Sequence, residues 1–171
     1  HEGGDAVGDE DDRGRALAEQ KPKQRAVIVY DSMWGSTGIM ASAIASGLED
    51  EGVPVRIIDI QKNHHSDVMT ELADCGAVIV GSATHNNNVL PGIADVLTYM
   101  KGLRPLNRVG AAFGSYGWSG ESPKIIQEWL ASMNMDMPAD PVKCLFVPKH
   151  EGLSQCVALG KTVAEALKAK C

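Results

Sequence analysis

Several residue classes are scarce in this 171-residue chain, and each scarcity excludes a class of protein. Aromatic residues make up 5% of it, so a core must be built mainly from aliphatic side chains. The four cysteines show neither CxxC nor zinc-finger spacing, which argues against a zinc finger and a disulfide framework. No apolar run approaches the ~20 residues of a membrane span, and the acidic start does not resemble a signal peptide. We therefore predict a soluble, cytoplasmic, single-domain protein with reduced thiols and no membrane segment.

Positive charge is also in short supply. The chain has 16 Lys and Arg against 22 Asp and Glu, a formal net charge of −6, and such a surface repels nucleic-acid phosphates. Several of the acidic residues lie in residues 1–24, where the acidic run 9–12 and the scarcity of apolar residues predict a flexible tail or linker. We expect the folded domain to span residues 25–171, with no nucleic-acid partner and no metal site.

The chain is rich in short β-branched runs that alternate with helical patterns. Five apolar runs are typical of strands buried in a parallel sheet: 26–30, 53–60, 77–82, 109–114 and 144–147. Five helical patterns follow them, with Pro91 expected to open the third and Ser122-Pro123 to cap and open the fourth. This alternation, with right-handed crossovers, predicts an α/β fold: a doubly wound, five-stranded parallel sheet, order 2-1-3-4-5, with helices on both faces.

Three loops at the carboxyl ends of these strands form the candidate ligand site, since such sheets bind ligands where the strand order reverses. The first loop, residues 31–38, combines hydroxyls and glycines with a helix N-terminus, which favours an anion. It contains no Lys or Arg and neither a Walker nor a GxGxxG motif, so we predict a phosphate monoester held by neutral hydrogen bonds. Simple helix capping by Ser36 or Thr37 is the alternative. The candidate residues are Ser32, Met33, Trp34, Gly35, Ser36 and Thr37.

The second loop, residues 82–88, is rich in asparagine, which tolerates positive φ and offers donors and acceptors to the polar edge of a ring. Its backbone at 85–88 is expected to face that edge, and an ordinary polar turn is the alternative. The candidate residues are Ser82, Ala83, Thr84, His85, Asn86, Asn87 and Asn88.

The third loop, residues 115–121, places two aromatic residues among glycines, as expected of a platform for a flat ligand. Trp118 is the first choice for stacking and Tyr116 the second, with a purely structural tryptophan as the alternative. The candidate residues are Ser115, Tyr116, Gly117, Trp118, Ser119 and Gly120. Together the three loops call for a ligand with a phosphate at one end and a planar, polar-edged ring at the other. Flavin mononucleotide (FMN) fits that description.

The three loops resemble those of the flavodoxin-like FMN-binding domain of flavodiiron proteins, also called A-type flavoproteins. Residues 32–37 are similar to the flavodoxin phosphate signature (Thr/Ser)-x-Thr-Gly-x-Thr, from which Trp34 departs. The resemblance covers about residues 25–169. It implies FMN, no metal, and electron transfer with a redox protein partner, such as a diiron oxygen or nitric oxide reductase domain or a rubredoxin-like donor. It also allows a homo-oligomer, while the histidines show no HxHxD-type cluster, so we expect no diiron domain in this chain.

Three other functions stay open at the level of sequence. An FMN-dependent NAD(P)H:quinone-type reductase of the same fold would bind its flavin through similar loops. A cofactor-free interaction domain would not take up FMN. A response-regulator receiver has the same topology but needs clustered acids after the first strand, where Asp31 is alone, and a lysine after the fifth, where Lys149 could serve.

Overall fold

The computed structural model describes residues 23–32, 35–63, 65–85, 88–103, 105, 107–117 and 120–171. Its strands are β1 (Ala26–Asp31), β2 (Val55–Asp59), β3 (Ala77–His85), β4 (Asn88–Val89), β5 (Val109–Tyr116) and β6 (Val142–Leu145). Its helices are α1 (Ser36–Asp50), α2 (His65–Asp74), α3 (Pro91–Leu103), α4 (Glu121–Ser132) and α5 (His150–Lys170). The predicted tail lies outside the described residues except for Lys23 and Gln24.

Five of these strands form one parallel sheet in the order β2-β1-β3-β5-β6. This confirms the predicted doubly wound α/β fold, because the parallel strands counted alone follow the order 2-1-3-4-5. The sequence does not predict the two-residue β4, which pairs antiparallel with the end of β3 and places His85 opposite Asn88. The second loop is therefore a short hairpin attached to the sheet.

Helices cover both faces of the sheet and enclose two apolar layers. On one face, α1 and α5 contribute buried residues such as Ile44 and Val163. On the other face, α2, α3 and α4 contribute Leu72, Leu97 and Ile126. Because both faces are buried, the central strands are continuous apolar runs, the pattern from which they are predicted. None of the described helices has the length and apolar character that a membrane crossing requires.

Helices α1 and α5 touch each other backbone to backbone. A Cβ atom at Gly47 of α1 would overlap the carbonyl oxygen of Val157, and one at Gly160 of α5 would overlap that of Ile44. Only glycine allows two helices to approach so closely at these positions. Since α1 begins in the first loop, this contact holds the helix that leads out of that loop close to α5.

The predicted fifth strand, 144–147, is misplaced. Strand β6 instead spans 142–145, and Leu145, Phe146 and Val147 are 52%, 64% and 61% exposed. Phe146 adopts a positive φ of 57°, and its N–H donates to the Tyr116 carbonyl oxygen at 2.6 Å, which ends the strand pairing. The apolar run thus marks an exposed edge and not a buried strand.

The predicted capping of α4 by Ser122 is also wrong. The residue that precedes the helix is Gly120, which has no side chain to cap it, and the Ser122 N–H instead donates to Thr84 Oγ1 at 3.1 Å. Ser122 lies inside the first turn, where its hydroxyl donates to the Ser82 carbonyl oxygen at 3.0 Å. Ser122 belongs to a residue type common at helix caps, but here its side chain joins α4 to β3.

Burial distinguishes the thiols, and this gives a first prediction. Burial raises the pKa of Cys75 and of Cys156 from 9.0 to about 12, and the Glu71 carboxylate adds to the effect at Cys75. Because the thiolate is the reactive form, iodoacetamide at pH 8 should modify exposed Cys171 at least about a hundredfold faster than these two. Peptide mass spectrometry measures this; labelling at equal rates in the folded chain would contradict it.

The same pKa shifts fix the sign of a pH effect. The folded pKa values lie above the ordinary value of 9.0, so the stability contributed by Cys75 and Cys156 is complete below pH 9. It is lost as the pH rises toward 12. Urea unfolding at pH 8 and pH 10.5 should show this loss, which a Cys156→Ala variant should reduce.

Candidate functional site

Residues from all three predicted loops meet in one cleft at the carboxyl edge of the sheet. Its volume is about 270 Å³, near the lower end of the ~300–1,000 Å³ typical of ligand pockets. Phe146 and Val147 complete its wall. Sequence reasoning missed both residues because it placed them in the buried fifth strand. The lining residues are Ser36, Ala83, Thr84, Ser115, Tyr116, Gly117, Phe146 and Val147.

At one end of the cleft lies the uncapped N-terminus of α1. Gly35 adopts a positive φ of 85° there, and as a glycine it has no side chain with which to cap the helix. The first bond of α1 runs from the Ile39 N–H to the Gly35 carbonyl oxygen at 3.2 Å. The N–H groups of residues 36–38 precede that bond and are thus available to an anion, which the helix dipole also favours. Capping by Ser36 or Thr37, the alternative at the level of sequence, is not what the structure shows.

Two hydroxyls join the first loop to the third. Thr37 is fully buried, and its Oγ1 lies 2.8 Å from the Oγ of Ser115, which is itself 6% exposed. Ser36 lines the cleft directly, whereas the hydroxyl of Ser32 accepts a bond from the Gly35 N–H at 2.9 Å. The hydroxyl-rich pattern thus serves both the cleft and the loop that shapes it.

Gln61, which sequence reasoning missed, bonds Asp31 at the start of the first loop. Asp31 is 7% exposed, and its Oδ1 accepts bonds from the Ser32 N–H at 2.9 Å and from Gln61 Nε2 at 2.6 Å. Gln61 follows β2, and this position beside β1 at the same sheet edge is the only sequence signal for its involvement.

Tyr30 packs beneath the first turn of α1. A Cβ atom at Gly38 would lie 3.1 Å from its hydroxyl oxygen. Burial, and secondarily the Asp59 carboxylate, raises the pKa of Tyr30 above its ordinary value of 10.0. This phenol therefore stays neutral and adds no negative charge at the anion end of the cleft.

In the second loop, the hydroxyls hold the wall of the cleft together. Ser82 Oγ donates to the Ala83 carbonyl oxygen at 2.8 Å and accepts from the Leu90 N–H at 2.9 Å. Thr84 Oγ1 donates to Ser122 Oγ at 2.8 Å and accepts from the Ser122 N–H at 3.1 Å. Ala83 and Thr84 thus reach the cleft as parts of β3, extended beyond its predicted end.

The third loop presents Tyr116 from the end of β5. Lys143 Nζ lies 5.9 Å from the centre of the Tyr116 ring, close enough for a cation–π contact. A Cβ atom at Gly117 would lie 3.0 Å from the Phe146 ring, so the backbone passes close to that side chain. Gly120, at the other end of the loop, precedes α4.

Six predicted site residues lie outside the described residues, and their roles stay predictions. They are Met33, Trp34, Asn86, Asn87, Trp118 and Ser119. His85 and Asn88, which flank two of them, are paired across the β3–β4 hairpin.

Comparison with known proteins agrees with this architecture. The family model described as Flavodoxin matches residues 28–160. A flavodoxin structure from the domain Archaea superposes with a TM-score of 0.76 at 35% identity, covering 84% of this chain and 99% of that one.

Similarity to longer proteins is also high. The rubredoxin-oxygen oxidoreductase of Megalodesulfovibrio gigas is 54% identical over 153 residues, 90% of this chain and 38% of its own length. The flavodiiron protein from Giardia intestinalis superposes with a TM-score of 0.84 at 28% identity, covering 90% of this chain and 38% of that one. The chain thus spans about two fifths of these relatives, which confirms the resemblance to the flavodoxin-like domain of flavodiiron proteins. The chain belongs to the flavodoxin family.

Proposed function

We propose that this chain is an FMN-binding electron-transfer domain that exchanges electrons with a redox protein partner. The partner would be a diiron module that reduces oxygen or nitric oxide, or a rubredoxin-like donor. FMN is the cofactor of the flavodoxin family. The observation that carries the proposal is the cleft, which combines an uncapped helix N-terminus with an apolar wall at the carboxyl edge of the sheet.

The residues present fit FMN at both ends. At the phosphate end, the N–H groups of residues 36–38 and the Ser36 side chain are donors that need no lysine or arginine. At the ring end, the lining by Ala83, Tyr116 and Val147 offers the apolar surface that a planar ring requires. FMN supplies the redox chemistry when bound, and these side chains bind it, orient it and limit its contact with water.

Two observations support a protein partner. The first is the similarity to a protein named rubredoxin-oxygen oxidoreductase, of which this chain spans 38%. The second is the exposure of three consecutive apolar residues, 145–147, two of which rim the cleft. Exposed apolar surface beside a redox site suits the approach of another protein, since electron transfer requires close contact but no shared covalent step.

The absorption spectrum of the purified chain mixed with FMN tests this function. We expect uptake of FMN, giving a yellow protein after gel filtration that accepts electrons from reduced rubredoxin. The same sample should not oxidise NAD(P)H with a quinone; rapid turnover there would instead indicate the reductase. A colourless chain that takes up no FMN would support the interaction domain and overturn the proposal.

Thr37→Ala separates a phosphate contact from a packing contact. We expect it to weaken FMN binding by about tenfold while riboflavin, which lacks the phosphate, is bound as before. The matched variant is Ser115→Ala, which breaks the same hydroxyl pair from the other side. If both variants weaken FMN and riboflavin equally, the Thr37 hydroxyl only packs against Ser115 and does not hold the phosphate.

A further inference from the structure

Gln61 occupies a fixed position beside the first loop. Its N–H donates to Asp59 Oδ1 at 3.0 Å, and the preceding Ile60 N–H donates to the Tyr30 carbonyl oxygen at 3.1 Å. These bonds attach the segment after β2 to the end of β1. The Gln61 backbone is therefore held in place even though its side chain is exposed.

The Gln61 side chain reaches across to the residues that open the first loop. Its Nε2 donates to Asp31 Oδ1 at 2.6 Å and to the Ser32 carbonyl oxygen at 3.0 Å. On the opposite side of the carboxylate, a Cβ atom at Gly92 would lie 3.1 Å from Asp31 Oδ2. The Asp31 carboxylate is thus confined between Gln61 and the start of α3.

Every polar group of Ser32 is engaged in this arrangement. Its N–H donates to Asp31 at 2.9 Å, its carbonyl oxygen accepts from Gln61, and its hydroxyl accepts from the Gly35 N–H at 2.9 Å. Ser32 lies between the sheet and Gly35, the residue before α1. By bonding Asp31 and Ser32, Gln61 therefore fixes the backbone where the chain leaves β1 toward the anion end of the cleft.

The bond from Gln61 to Asp31 also affects the negative charge near the anion end of the cleft. A phosphate monoester carries about −1.5 to −2 charges at pH 7, and a carboxylate nearby repels it. Hydrogen bonds from an amide and from a backbone N–H spread the charge of a carboxylate and fix where it lies. Gln61 supplies such a donor without adding a charge. Glutamate would add a negative charge, and a shorter side chain would not reach Asp31.

We propose that Gln61 is a positioning residue for the FMN phosphate: by bonding Asp31 and Ser32 it sets the first loop and holds the Asp31 carboxylate away from the phosphate. This inference rests on the proposed function, since it concerns the same cleft. The Gln61 side chain bonds Asp31 and Ser32 at the start of the first loop, so we expect its effect to fall on phosphate recognition alone.

Binding of FMN and of riboflavin to the full chain, measured by flavin fluorescence, tests the inference. Gln61→Met keeps the length of the side chain and removes the donor, so we expect FMN affinity to fall by about tenfold, with riboflavin affinity within about twofold of the original. Gln61→Glu should lose more FMN affinity, because it sets a second carboxylate against Asp31. Gln24→Glu, an equal charge change at an exposed residue before β1, should leave both affinities unchanged.

Each result has a distinct meaning. Unchanged FMN affinity in Gln61→Met, or equal losses of FMN and riboflavin, would overturn the positioning role. If Gln61→Glu does not fold, the result with Gln61→Met decides the question alone. If the unaltered chain binds neither flavin, the proposed function fails before Gln61 is considered. If it binds riboflavin and FMN equally, the proposed function stands but the phosphate is not recognised, and the role of Gln61 is overturned.

Discussion

Replacing Gly114 with alanine is expected to destabilise the chain by roughly 1–3 kcal/mol and to weaken FMN binding by on the order of tenfold. A Cβ atom at this position in β5 would overlap the Ser82 carbonyl oxygen and lie 2.8 Å from Ser122 Oγ. The first of these is backbone and cannot rotate away. The strand or α4 must therefore shift, which disturbs the Ser122 to Ser82 hydrogen bond at the wall of the cleft.

The same strand offers a matched control. At Gly110, a Cβ atom would meet the sulfur atoms of Met137 and Met135, at 2.8 Å and 3.2 Å. These are the ends of flexible side chains that can move aside, so Gly110→Ala should be tolerated far better. Urea unfolding and FMN titration of both variants measure the difference. Equal losses at the two positions would show that the close approach at Gly114 has no particular role.

Replacing Trp118 with alanine is expected to cost the most FMN affinity of any change in the third loop. Stacking of a ring on an aromatic side chain contributes about 1–3 kcal/mol per base in nucleic-acid complexes, so the expected loss is roughly tenfold to a hundredfold. The flanking residues that the structure describes are Gly117 and Gly120. Gly117 lines the cleft, and a Cβ atom at Gly120 would lie 3.3 Å from the Tyr116 ring.

Fluorescence provides the second readout for Trp118. A stacked indole quenches flavin emission, so bound FMN should be dark in the unaltered chain and brighter in Trp118→Ala. Trp118→Phe keeps a flat ring and should retain most of the affinity. Tyr116→Ala tests the second choice of platform. If Trp118→Ala changes neither affinity nor emission while Tyr116→Ala changes both, the stacking residue is Tyr116.

The sheet could be predicted because its signal is local. Residues 26–30 form a continuous β-branched run, and a strand buried on both faces needs nothing else to be recognised. The last strand is misplaced because 144–147 is also a continuous apolar run. The strand ends where Phe146 adopts a positive φ and makes the last bond to β5, and composition does not encode that position.

The site could be predicted in its residues more than in its contacts. The topology alone brings the three loops to one edge of the sheet, and the helix N-terminus follows from the start of α1. The Thr37–Ser115 pair joins residues 78 positions apart, and the Gln61–Asp31 pair joins residues 30 apart. Such pairs depend on strand register and side-chain rotamers, neither of which has a periodic signature in the chain.

The helix contact at Gly47 and Gly160 makes the two ends of the cleft mechanically unequal. The proposed phosphate end rests on α1, which contacts α5 backbone to backbone, and a backbone contact has no alternative rotamers. The other end is bounded by Tyr116, Phe146 and Val147, side chains that can turn about their χ angles. In the binding mode that we propose, the stiff end would locate the phosphate of FMN and the adaptable end would adjust around its ring.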